Sequence, residues 1–126
     1  MAADSPWIAA LAAVFLWWFS TGAILWRVRA ADNDLTDAQW DELVAAWGGC
    51  AYCSAEDRAL QRDCVLPISR GGRYTVTNVV PACGACNASK CNAEVTGWLR
   101  RKKLDESAFL LRWREVTDRV TVLTSR

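Results

Sequence analysis

Hydrophobic and polar positions divide the chain into two unequal stretches. From Ser5 to Trp26 there are 22 consecutive residues without a charge. At about 1.5 Å per residue a helix of that length spans about 33 Å, enough for the hydrocarbon core of a bilayer. Trp7 and Trp26 stand near its ends, where indole rings favour the headgroup region. The pattern predicts a single transmembrane helix, with the membrane contacted through residues 7–26 and an anchor comprising residues 1–30. Arg27 and Arg29 follow directly, while the short N-terminus carries only Asp4. The positive-inside rule then puts the rest of the chain in the cytoplasm, giving a membrane-anchored protein with a cytoplasmic domain. A cleaved signal peptide fits less well, because no positive charge precedes the apolar run. The alternative left open is a helix buried in a soluble, cytoplasmic protein or covered by a protein partner in a larger assembly.

Beyond a polar linker at residues 30–34, the pattern changes to that of a small soluble domain, residues 31–126. Thr36 with Gln39 three residues on forms a capping box, and Leu35 is placed to staple onto Trp40. Trp40, Leu43, Val44 and Trp47 then repeat as one helical face, which Gly48-Gly49 ends. Phe109, Leu110 and Trp113 are expected on one side of a later helix as core. Val116 to Arg126, with Val120, Val122 and Leu123, is expected to add a strand or to fray. Within the apolar run, WWFSTGAIL is similar to the first membrane helix of photosynthetic-complex assembly proteins, over a stretch too short to carry a function.

Composition narrows the chemistry. The 126 residues hold six Cys, eight Trp and no His, with a net charge of +1 and a mean hydropathy of +0.02. Without an imidazole, Ser-His-Asp, Cys-His and His-metal catalysis are excluded. The near-zero net charge hides a split. Residues 1–63 hold 4 basic and 9 acidic side chains, and residues 64–126 hold 11 and 5. The second half, with Arg70, Arg73, Lys90, Arg100, Arg101, Lys102 and Lys103, is the half suited to phosphates.

Cys50-x-x-Cys53 and Cys83-x-x-Cys86 are two knuckles separated by 29 residues. Each turns tightly enough to offer two thiolates to one tetrahedral Zn²⁺, so the spacing predicts a structural four-cysteine zinc site. A closed site of this kind holds a small core together and does not itself catalyse. The competing reading is a disulfide framework, which the cytoplasmic orientation disfavours. Cys91 is expected to be a small buried residue.

The insert between the knuckles carries Asp63-Cys64-x-x-Pro67, Gly71-Gly72, Asn78, Cys83-x-x-Cys86-Asn87 and Lys90. This resembles the zinc-flanked HNH endonucleases, whose segment reads DHxxPxxxGGxxxxxNxxxxCxxCNxxK, over Leu35 to Leu111. The resemblance implies an α+β domain with a ββα-metal fold, following the membrane helix, that hydrolyses DNA phosphodiester bonds with a divalent ion. Asp63 and Asn87 would bind a catalytic Mg²⁺ or Mn²⁺, and Asn78 would orient the general base or pin the loop. Arg70, Arg73 and Lys90 surround the loop and helix, and Arg100 and Arg101 follow; all five are expected phosphate contacts on DNA.

One position departs from the family. Where the general-base His belongs, the chain has Cys64. A thiol with an ordinary pKa near 8.5 is a few per cent ionised at neutral pH, and a thiolate beside a divalent ion would favour Zn²⁺ over Mg²⁺. The departure touches catalysis and leaves the fold. Three readings follow: a weakened or inactive HNH-type endonuclease with Cys64 and Asn78 at the catalytic position, an HNH-derived nucleic-acid or protein binding module, and a membrane-tethered accessory subunit.

Overall fold

The computed structural model describes residues 33–125, which form one compact unit. The anchor expected at residues 1–30 lies outside the described residues. Among the described residues no helix is long and apolar enough to cross a membrane.

The chain order is α1 (Asp37–Trp47), β1 (Leu60–Cys64), a 3-10 turn (Ile68–Arg70), β2 (Val79–Cys83), α2 (Gly84–Lys90), α3 (Val95–Arg101) and α4 (Glu106–Thr124). It is a small mixed α/β domain in which one two-stranded sheet is followed by helices. Helix α1 starts at the capping box: the Thr36 side chain accepts from the Gln39 N–H, and the Gln39 side chain accepts from the Thr36 N–H. Gly48, with φ 72°, ends it in the left-handed conformation that favours glycine. Strands β1 and β2 pair antiparallel, with Asp63 opposite Val80 and Cys64 opposite Val79. All five residues of β2 are buried, as its run of β-branched and small side chains demands.

The loop between the strands closes by backbone bonding to Pro67, whose carbonyl accepts from both Arg70 and Gly72. Gly72 is there because nothing larger fits. A Cβ at that position would stand 1.7 Å from the Leu66 carbonyl oxygen.

A row of aromatic rings forms the core between α1, the first knuckle, α3 and α4. Trp98 meets Tyr52 edge-on at 5.1 Å, Tyr52 meets Phe109 at 5.1 Å, and Phe109 stacks between Trp47 and Trp113 at 5.9 Å each. Such pairs contribute about 0.5–1.5 kcal/mol each beyond the area they bury. Helix α4 lies against α1, and Gln39 reaches Thr124 at 3.4 Å across 85 residues.

Three expectations are corrected here. The segment from Val116 onward is neither strand nor frayed end, because Val116 and Val120 are four apart and extend the buried face of a 19-residue helix begun at the Asp105 cap. Leu110 is exposed, since helical rotation carries it off the face that buries Phe109. Cys91 is exposed as well, with φ 48°, at the turn that ends α2.

Candidate metal centre and adjoining cleft

The first knuckle follows Gly49, where a Cβ would lie 2.8 Å from the Ala55 carbonyl oxygen. Its turn is held by Cys50 N–H to Ala55, Ser54 N–H to Cys50 and Ala51 N–H to Pro81 of β2. The second knuckle is the end of β2 and the start of α2, with the Cys83 sulfur accepting from the Cys86 N–H. The ligand atoms of Cys50, Cys53, Cys83 and Cys86 all lie within 4.8 Å of one another. Tetrahedral Zn²⁺ with Zn–S bonds of about 2.3 Å requires sulfurs about 3.8 Å apart. Cys53 and Cys83 stand at 3.8 Å. The four sulfurs therefore fit a metal ion such as zinc. The Cys86 N–H, aimed at Cys83, pulls that thiol down to about 6. Burial pushes Cys53 and Cys86 up. A cation would bring all four to the thiolate form.

Beside this centre the two strands and α2 border an open cleft of about 500 Å³, lined among others by Gln61, Asp63, Cys64, Tyr74, Asn87 and Cys91. Strand alternation sends Gln61 and Asp63 to one face of β1. Gln61 Oε1 accepts from Asn87 Nδ2 at 2.7 Å, which leaves the Asn87 carbonyl oxygen as an acceptor. Asp63 is buried. Its Oδ2 accepts from the Tyr52 hydroxyl at 2.5 Å and pairs with Lys90 Nζ at 3.2 Å. One carboxylate and one carboxamide are hard oxygen donors that fit Mg²⁺ or Mn²⁺, ions that keep several waters.

Cys64, beside Asp63, is also buried, and its thiol points to the Arg73 carbonyl at 3.8 Å. Burial first, then the Asp63 carboxylate, raises its pKa, against the pull of Lys90. A neutral, buried thiol does not fit the role of a proton acceptor. Asn78 pins the loop: its Nδ2 donates to the Leu66 and Arg73 carbonyls at 3.0 Å each, and its Oδ1 accepts from the Leu66 N–H at 2.9 Å.

The expected phosphate contacts divide. Lys90 is corrected: it is 1% exposed and donates to the Cys64 carbonyl at 2.8 Å besides pairing with Asp63, so its charge is spent inside. Lysine is almost never fully buried unless paired in this way. Arg70 Nε donates to the Asn92 carbonyl, and Arg73 to that of Gly72. Arg100 makes a two-pronged contact with Glu106 at 2.6 and 3.0 Å. Arg101 is exposed on α3. Its neighbour Lys102 borders a hollow with Cys53, Cys86 and Trp98, so the basic run adjoins the cysteine centre. The cation that does line the cleft is Arg62, paired with Asp37 at 2.9 Å and lying 5.2 Å from the Trp40 ring centre. Tyr52, Gln61 and Arg62 were invisible to motif reading. The one signal that could have found any of them is the period-two spacing of Gln61 from Asp63 along a strand.

Comparison with known proteins agrees with this geometry. Residues 50–104 match the HNH endonuclease family, a narrower span than the Leu35–Leu111 expected from the motif. Residues 3–63 match a second family, described as a protein of unknown function (DUF3623), and the two matches overlap at 50–63. The chain is also similar to an uncharacterized 30.4 kDa protein in the puhA 5' region of Rhodobacter capsulatus, 66% identical over 29 residues. That is 23% of this chain and 11% of that protein. No solved structure matches.

Proposed function

We propose that residues 33–125 act as a metal-dependent nuclease domain of HNH type whose hydrolysis of DNA phosphodiesters is severely slowed at Cys64. The observation that carries this reading is the convergence of Asp63, Cys64 and Asn87 on one cleft at the junction of β1 and α2, within the segment that matches the HNH endonuclease family. Asp63 and Asn87 would hold a divalent ion, which supplies positive charge to the scissile phosphate. Asn78 keeps the loop carbonyls of Leu66 and Arg73 in place, and Arg73 in turn receives the Cys64 thiol. Gln61 orients the carboxamide of Asn87.

What the chain lacks is an imidazole to accept the proton of the attacking water. Loss of a general base costs about 10²–10⁴ in rate. The test is plasmid nicking by the full chain with Mg²⁺ or Mn²⁺, as it stands and as Cys64→His. The variant should nick about 10²-fold faster or more. A Cys64→His chain that folds, binds divalent ion and gains nothing would overturn the reading.

The buried, neutral state of Cys64 also favours a second reading, a disarmed module that binds nucleic acid without cutting it. That reading gains if Cys64→His cuts and the natural chain gives no product at any enzyme concentration.

A further inference from the structure

Tyr52 belongs to no motif, yet it stands between the two clusters. It is the third residue of the first knuckle, Cys50-Ala51-Tyr52-Cys53, and is 6% exposed. Its ring is held between Trp98 and Phe109, both at 5.1 Å, so the hydroxyl has a fixed direction. That direction is Asp63 Oδ2, at 2.5 Å.

From α2 comes a second donor. Lys90 Nζ reaches the same Oδ2 at 3.2 Å and lies 6.0 Å from the Tyr52 ring centre. Helix α2 begins at the second knuckle, where Cys83 caps it. Each donor is thus carried by one of the two cysteine pairs, and both converge on one oxygen of the carboxylate.

We infer that Tyr52 is a positioning residue. It clamps Oδ2 of Asp63 so that Oδ1 serves the divalent ion of the cleft, and it makes the cleft's cation affinity depend on the four-cysteine centre. The inference rests on the reading of Asp63 and Asn87 as ligands. Partners that orient a metal ligand typically change metal affinity about 10–100-fold when removed.

The experiment is a Mn²⁺ titration of the full, zinc-loaded chain, followed by the electron paramagnetic resonance of free Mn²⁺. One Mn²⁺ should bind, and Asn87→Ala should abolish it. Tyr52→Phe keeps the ring packing and should weaken Mn²⁺ about tenfold. The visible absorption of Co²⁺ placed in the four-cysteine centre should stay unchanged.

A second readout covers the case in which Tyr52→Phe does not fold. The chain has two tyrosines, so 3-fluorotyrosine labelling of the Tyr74→Phe chain leaves one fluorine signal, from position 52. Mg²⁺ should shift it, and Asn87→Ala should remove the shift. Mn²⁺ affinity untouched by Tyr52→Phe, or a fluorine signal indifferent to Mg²⁺, would overturn the role of Tyr52 and leave the ligands standing. Mn²⁺ binding indifferent to Asn87→Ala would overturn both.

Discussion

Lys90 shows how far one residue can depart from what its surroundings in sequence suggest. A lysine three positions after Cys-x-x-Cys-Asn, in the basic half of the chain, reads as a hand for phosphate. Its side chain is instead sealed from solvent, with Asp63 and the Cys64 carbonyl as partners. What sequence could not reveal is that the last turn of α2 points inward over Tyr52, a matter of packing between elements 26 and 38 residues apart. Breaking a buried pair by removing one partner costs about 3–5 kcal/mol, because the other charge is left without compensation. Lys90→Met should therefore lower stability by about that much, read from the urea midpoint of the zinc-loaded chain. A loss under about 1 kcal/mol, typical of an exposed pair, would show that the ammonium is solvated. Gly72 was legible as a turn residue. The reason it must be glycine, the Leu66 carbonyl where its Cβ would be, was not.

At the scale of elements, the start of α1 was the most legible feature and the continuation of α4 the least. The Thr36-Gln39 box is a local device, written within four residues, and it stands in the structure as the sequence implied. The C-terminal segment reads as a strand in sequence because Val120 and Val122 have high strand propensity, which the burial of Val116 and Val120 on one helical face overrides. Helix α3, only seven residues long, depends on its cap. Glu94 accepts from the Thr96 and Gly97 N–H groups, at 2.9 and 2.8 Å. The Gly97 and Thr96 N–H groups are the main reasons its pKa falls from an ordinary 4.5 to about 2. Because the folded value is depressed, its contribution is complete above the unfolded pKa and disappears as pH falls through the folded one. Stability of the natural chain should therefore exceed that of Glu94→Gln by a constant margin above about pH 5, and the margin should close toward pH 2. Thermal melts of both chains across that range check it, and a margin independent of pH would remove the charge from the account.

Over the molecule as a whole, two cysteine pairs tie β2 and α2 to the segment before β1, and the spacing alone disclosed this. The purified chain should carry one equivalent of zinc, and Cys50→Ser or Cys83→Ser should lose both the metal and cooperative unfolding. Since burial raises the thiols of Cys53 and Cys86, zinc affinity should fall as pH falls, measured by competition with a chromogenic chelator. A metal-free chain that still unfolds cooperatively would refute the structural role.

The packing of α1 against α4 lies outside what motifs convey, because neither helix belongs to the 50–104 match. It has a consequence for the order of assembly. As the polypeptide is synthesised, the two cysteine pairs emerge with only 29 residues between them, a loop of modest closure entropy. The aromatic row is incomplete until Phe109 and Trp113 arrive, and the contact between Gln39 and Thr124 must wait for a separation of 85 residues to be bridged. Metal capture can thus precede the core, and the nascent chain has its ligands gathered before its rings are stacked.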